Sequence, residues 1–328
     1  MAAPASETPS ECQVASHSAG TVAADAASWR RDLGEIASDI KLSHSIFALP
    51  FALLAAVMAA KPTPSSAIQL ERFLGQLLLV IAAMVFARTA AMLANRLLDA
   101  AIDRDNPRTA RRALPSGRLS RGRAVRVFAL ASIAFFAVAA LFGVLFGNWW
   151  PLALAAPVLA WICAYGYLKR FTVACHFYLG ASLAMSPLAA ALAIDPAQLS
   201  QPALWMLAGM VLCWVAGFDI IYALQDVEAD RRQQLHSVPS RIGPSAARVV
   251  SALVHGIAIA LLWSIAIGPD ERFGALFSVA ASLVTLLLLV EHLTVARWGT
   301  TRIALTFFTI NGVVSLVVGA LGIADVGM

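Results

Sequence analysis

Residues 73–103 read FLGQLLLVIAAMVFARTAAMLANRLLDAAID. From Phe73 to Ala94 the only charged residue is Arg88. About 20 apolar residues suffice to cross a hydrocarbon core, so this run predicts a membrane span over 73–97. The pattern then changes in a regular way. Asn95, Asp99 and Asp103 are spaced by four, and at about 100° per residue such steps stay on one helix face. A spanning helix that continues past its apolar stretch therefore carries an amide and two carboxylates stacked on one side at its end.

The rest of the chain repeats the apolar theme. Of its 328 residues 60% are hydrophobic and 13% charged, against about 25% charged in ordinary globular domains. Length alone would suggest two soluble domains; the apolar runs overrule it. Nine spans are predicted, over 44–60, 73–97, 124–146, 149–168, 174–194, 202–222, 247–267, 273–296 and 303–322. Only Gly147 and Asn148 separate the third from the fourth, which predicts a tight helical hairpin. Residues 1–34 are rich in Ala and Ser and have no continuous apolar core, so they are expected to be a disordered tail and not a secretory signal. Residues 35–328 then form a single transmembrane domain. Cys12, Cys163, Cys175 and Cys213 lack C-x-x-C spacing, and they read as small hydrophobes without a metal or disulfide role.

Charge orients the bundle. With an inside N-terminus, 20 of the 24 Lys and Arg fall on the inner side and three on the outer. Inner loops collect such residues, so the N-terminus and both acidic clusters are expected on the cytoplasmic side, in a multi-pass protein of a bacterial inner membrane. The net charge of +5 then reflects topology and an anionic leaflet, with no role for nucleic acid.

The second cluster lies in FDIIYALQDVEAD, residues 218–230. On a continuous helix Asp226 and Asp230 fall within about 20° of Asp219; Tyr222 is close to that face and Glu228 points away. Both clusters follow even-numbered spans and so meet at one end of the bundle. Stacked carboxylates repel without a cation, and near lipid the cost is higher. Open oxygen donors suit Mg²⁺, which takes one or two carboxylates plus substrate phosphates. Arg108, Arg111, Arg112, Lys169, Arg170, Arg231 and Arg232 lie in neighbouring loops. The acids could simply pair with these bases as solvated loop charges. Two matched clusters on one side favour a metal–diphosphate site.

Asn95-x-x-x-Asp99-x-x-x-Asp103 followed by NPRTARRALPSG resembles the first motif of the UbiA superfamily of intramembrane prenyltransferases, and FDIIYALQDVEAD resembles the second. The similarity runs over about residues 35–322. It implies an all-α polytopic membrane protein, with nine transmembrane helices around a central cavity, a cytoplasmic cap and a side opening to lipid. It further implies a polyprenyl diphosphate held by two Mg²⁺ ions. Asn95, Asp99 and Asp103 would hold one ion and Asp226 and Asp230 the other, with Asp219 in support. YGYLK matches the family's Tyr-x-x-x-Lys element, so Lys169 would bind the diphosphate and Tyr165 steady it. Arg108, Arg111, Arg112, Arg170 and Tyr222 join the expected substrate contacts. One departure is Arg96, where many members carry Asp; that position lies off the ligand face.

The chemistry expected is cleavage of an allylic C–O bond, with transfer of the prenyl group to a ring carbon of an aromatic acid. Asp219 or Asp226 is placed to take a phenolic proton. Arg88 precedes Asn95 by seven residues and so lies on its face about two turns deeper. An Arg within a span is a functional candidate by default, and its planar fork suits a carboxylate. The RTAAMLAN run resembles the aromatic-acid branch of the family. KLSHSIFALPFALLAA and GFDIIYALQDVEADRRQQLHSVPSRIG resemble the enzymes that use 4-hydroxybenzoate for ubiquinone; relatives of that subgroup use 1,4-dihydroxy-6-naphthoate for menaquinone. His44 and His236 belong to these stretches and receive no catalytic role. The rival class is an ion-coupled secondary transporter, whose sites lie near the midplane in repeated halves; here the acids lie at the margin. No obligate protein partner is expected.

Overall fold

The structure, a computed structural model, describes residues 34–35, 47–303 and 305–328, without the side chains of Leu305 and Thr306. Most of the expected tail, the entry to the first span, His44 and Cys12 lie outside the described residues. The elements are helical throughout: α1 (Leu49–Ala60), α2 (Leu70–Asp105), α3 (Arg121–Phe146), α4 (Trp150–Leu168), α5 (Cys175–Ile194), α6 (Pro202–Ala223), α7 (Val227–Arg232), α8 (Val238–Ile242), α9 (Pro244–Ala266), α10 (Ala275–Trp298) and α11 (Asn311–Gly327).

Local chemistry explains where these helices begin and end. Five start with a Pro in the first turn, where its missing N–H costs nothing and its fixed φ helps. The α3–α4 hairpin turns at Gly147, which has φ +75°. Asn148 N–H donates back to Phe142 O there, and a residue with a Cβ resists that left-handed conformation. Among the described residues eight helices are long and apolar enough to cross a membrane. The expected first span is seen only as the 12-residue α1, about 18 Å at 1.5 Å per residue, short of a core ~30 Å thick.

The bundle is built around α6, which packs on α5 and α9; α1 lies against α5 and α11, while α2 packs on α3 and α4. Trp214, Met210, Leu207 and Ile220 of α6 are fully buried. A polar chain runs through this apolar interior. Trp214 Nε1 donates to Asn311 Oδ1 (2.6 Å) and Asn311 Nδ2 to Glu291 Oε1 (3.2 Å). His255 bridges Trp214 O (3.1 Å) and His292 Nε2 (3.0 Å). Trp214, Glu291 and Asn311 are completely enclosed. Asn311 directly follows a π-helical turn, Leu305–Ile310.

The two ends of the bundle differ. One carries α7, α8 and the loop after α2, and forms a cap. At the other, Arg272 bonds Asp270 through Nε and a terminal nitrogen, and reaches Met58 O, Lys61 O and Gln201 Oε1. Lys61 Nζ donates to Gly327 O at 3.1 Å. Asp325 accepts from Gly274 and Phe277 N–H at the start of α10.

Candidate active site

Helix α2 runs unbroken for 36 residues, eight beyond the predicted span, and it carries Asn95, Asp99 and Asp103 as the spacing predicts. Asp99 is 3% exposed and Asp103 5%, so their charges need partners. Asp99 Oδ2 accepts from Lys169 Nζ at 2.6 Å, and its Oδ1 from Arg170 at 3.2 Å. Arg170 also donates to Leu98 O. Asp103 Oδ2 pairs with Arg112 at 2.7 Å. Asn95 Oδ1 is buried without a hydrogen-bond partner. Gly166 is required opposite it, because a Cβ there would lie 2.9 Å from that oxygen.

The second cluster is arranged differently from a single helical face. Helix α6 ends at Ala223, and Leu224–Asp226 turn the chain before α7 starts at Val227. Asp219, Asp226 and Asp230 therefore separate. Asp226 takes a two-pronged grip from Arg108, with Nε at 2.9 Å and a terminal nitrogen at 2.6 Å, and Asn106 adds a bond at 3.2 Å. Arg108 also reaches Tyr222 OH (3.2 Å) and lies over its ring. Burial opposes the Arg108 charge, but the Asp226 bonds outweigh it and hold its pKa above the ordinary value. Asp230 accepts from Ser237 Oγ at 2.6 Å. Burial, with Asp226 nearby, still keeps its carboxyl above the usual range. Asp219 turns to His176, Oδ2 to Nδ1 at 2.7 Å.

Beneath this roof lies an apolar cavity of about 550 Å³, lined by Arg88, Asn95 and Tyr165 together with Phe47, Phe218 and Phe307. Arg88 Nε and Ser186 Oγ are buried there without hydrogen-bond partners. The structure thus brings Arg88, Asn95 and Tyr165 to one cavity, and Asp99, Asp103, Asp226, Lys169, Arg170, Arg108, Arg112 and Tyr222 to ion pairs and hydrogen bonds above it. Among the described residues no three His, Cys, Asp or Glu side chains converge on one point. Arg111 is exposed and pairs with no carboxylate among the described residues, so it does not join the group. Arg96 does join: it is buried, and its guanidinium lies 3.9 Å from Asp103 Oδ2. Sequence reasoning placed it off the face, although its seven-residue spacing to Asp103 was the available signal. His176 was also missed, since nothing in its local pattern marks it. Cys163, Cys175 and Cys213 are free thiols.

Curated relatives include the 4-hydroxybenzoate octaprenyltransferase of Serratia proteamaculans, 30% identical over 63% of this chain and 66% of that protein. Another is the mitochondrial 4-hydroxybenzoate polyprenyltransferase of Caenorhabditis elegans, 29% identical over 61% of this chain and 54% of that one. The chain thus spans just under two thirds of the length of the bacterial relative. Among solved structures, the apo UbiA homolog from Aeropyrum pernix K1 superposes with a TM-score of 0.73 at 31% identity, covering 86% of this chain and 98% of that one. A UbiA homolog from Archaeoglobus fulgidus bound to DMAPP and Mg²⁺ shares the fold, with a TM-score of 0.65 at 16% identity over 90% and 99% of the two chains. The model of the UbiA prenyltransferase family matches residues 48–316. On sequence and fold together, the chain belongs to the UbiA prenyltransferase family.

Proposed function

We propose that this protein transfers a polyprenyl group from polyprenyl diphosphate to a ring carbon of 4-hydroxybenzoate, with Mg²⁺ and at the cytoplasmic end of the bundle. The observation that carries the reading is the apolar cavity that joins the unpartnered Arg88 Nε to Asn95 and Tyr165, directly under the acid–base roof. An apolar acceptor with one carboxylate and an isoprenoid tail has the polarity of that space. The names of the curated relatives agree with the choice of acid.

The oxygen donors fit a divalent metal. Asn95 Oδ1 is buried with nothing bonded to it, and hard oxygen ligands are what Mg²⁺ takes. Asn95, Asp99 and Asp103 would hold one ion, and Asp226 and Asp230 a second. When bound, Mg²⁺ would supply charge stabilisation on the departing diphosphate. Lys169, Arg170, Arg108 and Arg112 now neutralise the carboxylates; with cations on the acids, they are free to grip phosphate oxygens. Arg88 would hold the acceptor's carboxylate and so orient its ring. Phe218, Phe307 and the apolar walls exclude water, which would otherwise quench an allylic cation. Asp219 is the better proton acceptor of the two candidates, because Asp226 is committed to Arg108.

Membranes containing the protein are to be incubated with radiolabelled polyprenyl diphosphate and either 4-hydroxybenzoate or 1,4-dihydroxy-6-naphthoate, with and without Mg²⁺. Labelled prenyl-hydroxybenzoate that forms only with Mg²⁺ is the expected result. Product from the naphthoate alone would move the acceptor to the menaquinone branch. Metal-independent solute uptake without product would favour a carrier. Arg88→Ala should raise KM for the acid by at least ~10-fold, the loss of a charge-assisted pair, with KM for the diphosphate unchanged.

A further inference from the structure

The cap is joined to the bundle by a residue that the proposed chemistry does not use. His176 opens helix α5 and is 3% exposed. Its Nδ1 lies 2.7 Å from Asp219 Oδ2, and its Nε2 lies 3.2 Å from the backbone nitrogen of Val238, the first residue of cap helix α8.

Counting donors at the start of α8 fixes the direction of both bonds. Ser237 N–H donates to Ser240 Oγ, and Ser240 N–H donates to Ser237 Oγ, closing a capping box. Pro239 has no N–H. Val238 N–H is thus the donor that the local turn leaves over, and an N–H pointed at an imidazole nitrogen makes that nitrogen the acceptor. The ring hydrogen must then sit on Nδ1, where it donates to Asp219. One neutral imidazole therefore satisfies an orphan helix donor with one edge and orients a carboxylate with the other. Two more bonds join the same turn to the cap: His236 N–H to Lys169 O at 2.6 Å, and Cys175 Sγ to His236 O at 3.4 Å. The backbone of Lys169, whose side chain holds Asp99, is thereby tied to the cap as well.

We propose that His176 is a positioning residue that couples the seating of the cap helix to the orientation of Asp219. Its part in catalysis rests on the prenyl transfer proposed above; the coupling itself does not. If Asp219 accepts the acceptor's proton, the carboxylate is held in one rotamer only while the cap is seated. The catalytic end is then fully assembled only with the cap closed over it.

Two conservative variants divide the two edges of the ring. In His176→Asn the side-chain amide replaces the Nδ1–H donor to Asp219 and removes the acceptor for Val238. In His176→Gln the longer amide presents its oxygen near the position of Nε2 and removes the donor to Asp219. On the full-length protein in lipid nanodiscs, hydrogen exchange over residues 235–243 should quicken at least ~10-fold in His176→Asn and stay at the wild-type rate in His176→Gln. For kcat the order reverses, with His176→Gln about 10-fold lower than His176→Asn and KM for prenyl diphosphate the same in both. Wild-type exchange in His176→Asn overturns the coupling. Equal kcat losses in both variants overturn the positioning of Asp219 and leave His176 a packing residue. A wild-type protein inactive on every acid removes the function proposed above, while the exchange comparison still decides whether His176 seats the cap.

Discussion

At the end of the bundle away from the cap, Arg272 gives all five of its N–H donors to protein acceptors: two to Asp270, and one each to Met58 O, Lys61 O and Gln201. At the cap end, Arg108, Arg112 and Lys169 each hold a carboxylate that a metal could claim, and Asn95 Oδ1 is left over. The acids show the same contrast. The Asp270 carboxyl is held below the ordinary range, because the Arg272 bonds and charge outweigh its burial. Asp230 stands above the range, because burial outweighs its single hydroxyl bond to Ser237. One end is a finished staple. The other keeps carboxylates whose present partners are poorer than those they are shaped for, which is the usual condition of a site that waits for a charged ligand.

The largest test of this contrast is Asp99→Ala. If the cap-end acids serve catalysis, prenyl transfer per folded molecule should fall by roughly 10²–10³-fold, the scale of losing one charge-stabilising group. Retention of more than a tenth of wild-type turnover in the radiolabel assay would make the cap end a staple like its counterpart. Arg272→Ala should do the reverse. It leaves Asp270 unpaired and should cost roughly 3–5 kcal/mol of stability, read as an earlier thermal transition in detergent, with turnover of the folded fraction unchanged. A loss of turnover with no shift in the transition would break the comparison from the other side.

The smallest effects carry opposite signs. Asp230 has a raised pKa in the fold, so its contribution is present when protonated and is lost as pH rises through the folded value. Asp230→Asn should therefore raise the transition by roughly 2 °C at pH 7, and the gain should vanish near pH 4, where the unfolded carboxyl is also protonated. Asp270 is the mirror case. Its depressed pKa gives stability above the unfolded value of about 3.9, lost as pH falls through the lower folded one. Asp270→Asn should lower the transition at pH 7, and the deficit should close in acid. Shifts of the same sign in both variants would dissolve the distinction between the ends.

Much of this was legible in the chain. The apolar runs mark the helices to within a few residues, since span length is set by bilayer thickness. Spacing by four placed Asn95, Asp99 and Asp103 correctly because α2 stays helical to Asp105. The same arithmetic separated from the structure after Ala223, where the chain turns and Asp226 swings to Arg108; periodicity carries no information across a helix end. The pairing of His176 with Asp219 and of Arg96 with Asp103 depends on how elements pack or which partner is free, and neither is written in local spacing. Arg111 shows the converse, a base adjacent in sequence to Arg112 that faces solvent.

The π-helical turn at Leu305–Ile310 has a consequence for how the molecule tolerates change. It puts Phe307 on the cavity wall and still delivers Asn311 to Trp214 and Glu291. Remove one residue from the turn and everything after it rotates by about 100°. Asn311 then leaves both partners, at a cost of roughly 1–3 kcal/mol for each buried group left unmatched. The segment can be rewritten with other greasy side chains far more easily than it can be shortened: here length, more than composition, is the constraint.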